Sequence, residues 1–168
     1  MKCAKVLLEG PEADSWMERL EVLDDPPQNA SNRHGKKRSR IDIEFVTVVR
    51  GRRPRFLIEA KRLYRSDSVS QYFGAGGLQM FVHGHYAAEW SSAGMLGYVQ
   101  TDSCATWLER LAAGLAGRRT EIACGDATAW RPVRLGDEGL ETVQVSDHQR
   151  TPQALGQIEI FHLLLNYV

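Results

Sequence analysis

The sequence predicts an α/β fold, a mixed sheet sandwiched with helices, as a single domain over residues 1–168. Three observations carry this. Segments of helical period and segments of period two follow one another in the order helix, two strands, helix, strand, helix, strands. The chain has 168 residues, enough for one ordinary core and too few for two. Hydrophobic residues make up 43% and charged residues 25%, the balance of a globular protein rather than a fibrous or disordered one.

Each element has its own signal. Residues 11–23 read as an amphipathic helix, with Pro11 in its first turn and Trp16, Leu20 and Leu23 on one face. Asp24-Asp25-Pro26-Pro27 stops it, and the polar, basic residues 26–40 form a loop. Residues 41–49 alternate and are rich in β-branched side chains, so they form a strand; Gly51 and its arginines turn the chain, and residues 55–61 return as the second strand of a hairpin. Residues 66–90 read as mainly helical, interrupted at Gly74-Ala75-Gly76-Gly77, with a longer helix from about Gly77. Residues 94–100 form a buried-type strand, and Ser103 caps a helix over residues 104–115 that ends near Gly117. Residues 120–135 carry weak strand signals, and residues 141–146 and 157–167 are strands joined by a turn around residues 152–156.

Composition excludes several classes. The longest uncharged apolar run, residues 160–168, is far below the roughly 18 to 20 residues that cross a bilayer as a helix. The short apolar stretch near Met1 lacks a cleavage site, so a cytoplasmic location is expected, and the sequon at Asn29 is expected to be idle. Cys3, Cys104 and Cys124 show no CxxC spacing and read as reduced thiols. No Walker A loop, GxGxxG, HExxH or GxSxG occurs, which leaves nucleotide hydrolysis, dehydrogenase and acyl-transfer chemistry without support.

The net charge of zero conceals an asymmetry. Residues 33–65 hold twelve basic and three acidic side chains, a surplus of nine, while the segments on either side are acidic. Such a block attracts phosphate and releases counterions on binding it. The three acids inside it are Asp42, Glu44 and Glu59. Alternation puts Leu57, Glu59 and Lys61 on one face of the second strand, and a hairpin brings Asp42 toward Glu59. Two carboxylates that close repel unless a cation bridges them, and hard oxygen donors suit Mg²⁺ or Mn²⁺.

Asp42, the apolar run Phe56-Leu57-Ile58 and then Glu59-Ala60-Lys61 resemble the PD-(D/E)xK motif of the restriction-endonuclease-like nucleases, with Ile41 where that motif often has proline. The resemblance covers residues 10–100 or so. It implies an α-β-β-β-α-β core, a mixed sheet flanked by helices, followed by a C-terminal helix and β-hairpin extension over residues 101–168. It implies a Mg²⁺-dependent (or Mn²⁺-dependent) endodeoxyribonuclease. Asp42, Glu59 and the carbonyl of Ala60 would ligate metal, and Lys61 would position the attacking water. A carboxylate from the first helix often joins such sites, with Glu18 and Glu21 the candidates and Glu9 behind them. A glutamine on the helix after the lysine strand often joins too; Gln79 fits best and Gln71 second. Lys36, Lys37, Arg38, Arg40, Arg50, Arg52, Arg53, Arg55 and Arg62 would grip DNA, with RNA not excluded. A homodimer or a larger restriction, repair or antiphage complex is the expected setting. The rival expectation is a non-catalytic nucleic-acid-binding or assembly module on the same fold; a protein–protein adaptor comes third.

Other residues read more plainly. His83 and His85 diverge if they stand two apart on a helix, so joint metal binding is not expected. Tyr72, His83 and Tyr86 lie near Gln79 and suit either phosphate contact or packing. Ser146, His148 and Arg150 alternate at a strand end opposite His162, and read as a hydrogen-bonded cluster. Trp16, Trp90, Trp107 and Trp130 read as core.

Overall fold

The computed structural model describes residues 20–26, 40–47, 52–125, 130–135, 140–151 and 153–167. It shows an α/β fold on one mixed seven-stranded sheet. The strands are β1 (Leu20–Asp24), β2 (Ile43–Thr47), β3 (Arg55–Leu63), β4 (Ser92–Val99), β5 (Arg131–Leu135), β6 (Leu140–Gln149) and β7 (Gln157–Asn166). Their order across the sheet is β1-β2-β3-β4-β7-β6-β5. β1, β2 and β3 form an antiparallel meander; β4 lies parallel to both β3 and β7; β5, β6 and β7 are antiparallel. The helices are α1 (Ser68–Phe73), α2 (Gln79–Val82) and α3 (Cys104–Gly117).

The described helices cover one face of the sheet. Leu57 and Leu63 of β3, Ala93, Met95 and Val99 of β4, and Ile158 and Ile160 of β7 point to that face by alternation. They pack with Tyr72, Phe73, Leu78, Phe81, Trp107, Leu111 and Leu115 into one core. α3 is capped as the sequence predicts, the Ser103 hydroxyl accepting from the Thr106 N–H at 3.1 Å. Trp107 is buried in the core, and Trp90 and Trp130 pack against it. Gly97 lets the sheet close beside Lys61, since a Cβ there would sit 2.5 Å from Leu164 Cδ2 and 2.6 Å from Leu63 Cδ1.

Two expected elements differ. Residues 20–23, expected as the end of a helix, form β1, paired from Leu20↔Thr47 to Asp24↔Ile43. A short segment with apolar residues at both two- and three-residue spacings satisfies either period, and the β-rich edge of β2 offers it a full hydrogen-bond ladder. Residues 11–19 of that expected helix, with Trp16 and Glu18, lie outside the described residues, as does Glu9. The long helix expected from Gly77 is only the single turn α2. Gly84 has φ +68° and Ala87 φ +50°, and neither backbone is helical. Among the described residues, no helix is long and apolar enough to cross a membrane.

Candidate functional site

The site grows from the β2–β3 register. Ile43 faces Ile58 and Glu44 faces Leu57, so one step further along the hairpin Asp42 faces Glu59. Alternation then places Asp42, Glu44, Arg55, Glu59 and Lys61 on the helix-covered face. That is why two carboxylates are driven out of water: Glu44 is 1% and Glu59 5% exposed. Glu44 is compensated by Arg55 at 2.9 Å.

Glu59 is compensated only in part. Its Oε1 pairs with the Lys61 ammonium, while its Oε2 is buried without a hydrogen-bond partner among the described residues. Burial pushes the Glu59 carboxyl up to about 7; Lys61 pulls against this, and the nearby Asp42 carboxylate adds to it. Asp42 is held by the β3 backbone, its Oδ2 accepting from the Ala60 N–H at 2.7 Å. Thus Asp42, Glu59, Ala60 and Lys61 come together as the motif spacing predicts. Glu59 and Asp42 supply hard oxygen donors, and the unmatched Glu59 oxygen is the kind of group a divalent cation satisfies. Among the described residues, no three Asp, Glu, His or Cys side chains converge as a ready metal cage.

Two further residues enter the site: Asp25, which sequence reasoning left outside it, and Tyr86, which it gave as phosphate contact or packing. Asp25, read only as part of a helix stop, follows β1 at φ +51°, and its N–H donates to the Asp42 carbonyl at 3.0 Å. Tyr86 is 6% exposed and its hydroxyl donates to the Arg40 carbonyl at 2.5 Å, fastening the chain two residues before Asp42. Burial, then the charges of Glu59, Asp42 and Asp25, push the Tyr86 phenol above its ordinary value. The only sequence signal for Tyr86 was its neighbourhood to Gln79.

The other predicted site residues are distributed unevenly. Gln71 lines an open cleft with Lys61, whereas the Gln79 amide donates to Glu121 at 2.6 Å. Glu21 pairs with Arg53 at 3.1 Å. Arg40 pairs with Asp25 at 2.6 Å, and Arg65 pairs with Asp67. Arg52 is exposed, and Arg62 is exposed on the face opposite Lys61, its guanidinium 5.6 Å from the centre of the Tyr64 ring. Lys36, Lys37, Arg38 and Arg50 lie outside the described residues. The basic block is therefore substantially neutralised by local acids where it is described.

A second polar group lies on the same face, under the helices. Tyr72, His162, Ser146 and His148 are buried and joined at 3.0, 2.7 and 2.6 Å, and His148 Nδ1 meets the Ile122 carbonyl at 2.8 Å. A carbonyl only accepts, so Nδ1 of His148 donates; in the neutral ring Nε2 then accepts from Ser146. Ser146 accepts from His162 Nε2, and His162 Nδ1 accepts from Tyr72. Every group is satisfied, and burial holds both imidazoles below their ordinary value. This is the hydrogen-bonded cluster the alternation predicts, joined by Tyr72. Arg150 stands apart from it: at 3% exposure its guanidinium donates to the carbonyls of Ala87 at 2.7 Å and Leu155 at 2.6 Å. His83 and His85 are exposed in a turn, their rings 6.3 Å apart. Cys104 and Cys124 are free thiols, and Cys3 lies outside the described residues.

No family model matches the chain, and no curated protein or solved structure does either.

Proposed function

We propose that the chain is a metal-dependent nuclease that hydrolyses phosphodiester bonds in DNA, on a restriction-endonuclease-like core. The single observation that supports it most is the Glu59 carboxylate: buried, half-satisfied, opposite Asp42 and two residues before Lys61. The order of β1, β2 and β3, then helices, then β4 parallel to β3, is consistent with that core. Asp42 and Glu59 would hold Mg²⁺ or Mn²⁺, with the Ala60 backbone adjoining. When bound, such an ion polarises a scissile phosphate and lowers the pKa of water.

The chain's own residues do the rest. The Ala60 N–H fixes one oxygen of Asp42, so the carboxylate is preorganised rather than recruited. Tyr86 and Asp25 fix the backbone on both sides of Asp42. Lys61 pairs with Glu59 and also lines the open cleft, so its ammonium can leave Glu59 for the negative charge developing on the phosphoryl oxygens as water attacks phosphorus and the P–O bond to the leaving oxygen breaks. The products are a phosphate monoester and a hydroxyl. A role in restriction, repair or phage defence, in the cytoplasm, as a homodimer or a subunit of a larger complex, belongs to the same proposal.

A second reading has its own support. The Glu59–Lys61 pair is closed, no three-ligand cluster is formed among the described residues, and much of the basic block is paired. These favour a non-catalytic nucleic-acid-binding or assembly module. Incubation with supercoiled plasmid and a single-stranded oligonucleotide, with Mg²⁺, Mn²⁺ or EDTA, separates the two. Metal-dependent cutting lost in Lys61→Met supports the nuclease. Salt-sensitive binding without cutting, equal in both proteins, supports the module.

A further inference from the structure

Lys61 also lines a cleft of about 560 Å³, together with Asp67, Ser70, Gln71 and the turn Gly74-Ala75-Gly76. The cleft is an open groove rather than an enclosed cavity, and its volume has room for one small molecule lying against the surface. One wall is the exposed edge of α1, which presents Ser70 and Gln71; the other is built from residues with almost no side chain. The turn is fixed rather than slack: Gly77 N–H donates to the Gly74 carbonyl at 2.9 Å, and Leu78 N–H to the Tyr72 carbonyl at 2.9 Å. A Cβ at Gly74 or Gly77 would strike backbone oxygens at 2.6 and 2.3 Å, so these glycines shape the turn. Gly76 is different, since a Cβ there meets nothing within 4 Å and would stand in open space.

Around the cleft Lys61, Arg65 and Arg118 outnumber Asp67 and the buried Glu59 by one charge. The acid that lines the cleft, Asp67, is already paired with Arg65 and accepts from the Gln71 amide at 2.9 Å. Arg118 reaches the rim, donating to Ser70 Oγ at 2.8 Å. A ligand that fits is therefore anionic at the Lys61 end, flat where it lies on the small-residue wall, and edged with polar atoms toward Ser70 and Gln71. Those are the features of a nucleotide.

We propose that this cleft receives one unpaired nucleotide of a single-stranded nucleic acid, its phosphate at Lys61 and its base against the Gly74–Gly76 turn. The proposal rests on the nuclease reading for its chemistry, since the cleft and the carboxylate pair share Lys61. A base stacked inside a duplex cannot enter a cleft of one-nucleotide size, so the site selects strands whose bases are already free.

The test uses binding alone, in EDTA, by fluorescence anisotropy with a labelled oligothymidylate and a labelled blunt duplex. Gly76→Leu puts a bulky side chain on the cleft lining, and Gly117→Leu, at another position where a Cβ meets nothing, is its control. Gly76→Leu is expected to lower single-strand affinity about tenfold, the scale of one lost base contact, with duplex affinity unchanged and Gly117→Leu like wild type. Gln71→Ala is expected to weaken the same ligand selectively. Wild-type single-strand affinity in Gly76→Leu, or an equal loss for duplex, overturns the proposal. Should circular dichroism show that Gly76→Leu does not fold, Gln71→Ala decides by the same criterion. Selective loss together with failure to cut either the plasmid or the single-stranded oligonucleotide in Mg²⁺ or Mn²⁺ keeps the subsite and removes the nuclease.

Discussion

Glu59 should make the protein less stable as the pH rises, and a divalent cation should reverse it. The folded carboxyl ionises near 7 against an ordinary value of 4.5. Because the folded pKa is raised, the folded state holds a proton that the unfolded state has lost between those two values. The associated stability is fully present below 4.5 and disappears as the pH climbs through 7. The gap corresponds to about 3 kcal/mol, a large share of the 5 to 15 kcal/mol typical of a domain. His148 and His162 act in the opposite sense, since their depressed values make stability fall as the pH drops below the ordinary histidine range. The measurement must therefore be a difference. Urea unfolding of wild type and Glu59→Gln is compared at about pH 5 and about pH 8, in EDTA and in MgCl₂. Glu59→Gln is expected to match wild type at the acidic pH and to exceed it by up to about 3 kcal/mol at the basic one, or about 6 to 12 °C in Tm. Mg²⁺ at a hundredfold excess over its Kd should restore about 2.7 kcal/mol to wild type and nothing to Glu59→Gln. Parallel pH profiles in the two proteins would refute the buried-acid reasoning, and equal responses to Mg²⁺ would refute the metal assignment.

Tyr86→Phe removes the bond to the Arg40 carbonyl and should cost about 1 kcal/mol in urea unfolding, with a fall in cleavage rate larger than that loss of folded protein explains. Ser146→Ala leaves a donor and an acceptor of two buried imidazoles unmatched and should cost about 2 to 4 kcal/mol, while cleavage per folded molecule stays constant. Arg150→Met strands the Ala87 and Leu155 carbonyls that pin the turn after Tyr86. A loss of about 2 to 4 kcal/mol is expected in chemical unfolding, and Arg150→Lys should recover only part because it lacks the two-pronged guanidinium.

The sequence made the strands of the site legible because alternation is a local signal. The strands expected over residues 41–49 and 55–61 needed only their own period to be placed, and the hairpin followed from the turn between them. β1 was not legible, because whether Leu20, Val22 and Leu23 form a helix or a strand is decided by the edge of β2, which is distant in sequence. The short helices failed for a related reason: the glycine interruption was visible, but Ala87, with its positive φ, has its carbonyl held by Arg150, 63 residues away. The basic surplus was the least reliable signal. It counted charges without their partners, and Asp25, Glu21, Glu44 and Asp67 each take one arginine. Gln71 and Gln79 are equivalent in a sequence and differ in the fold, because one lines the Lys61 cleft and the other reaches Glu121.

The two buried polar groups of the helix-covered face bear on each other. Tyr72, His162, Ser146 and His148 show that this core accommodates polar side chains by pairing each of them, at no cost in unmatched atoms. Arg150 follows nearly the same rule: its terminal nitrogens are matched to carbonyls and only its Nε is left over. Glu59 departs from it in a different way, because the unmatched atom belongs to a carboxylate whose neighbour across the hairpin is another carboxylate. A glutamine would fill the same volume without the repulsion, and a leucine would extend the apolar row from Leu57 by one position. Keeping an acid here costs about 1 to 3 kcal/mol in an unsatisfied oxygen alone. The cost falls when something bridges Glu59 and Asp42: the proton that the raised Glu59 carboxyl holds does so at acidic pH, and the divalent cation proposed above would do so when that proton is lost.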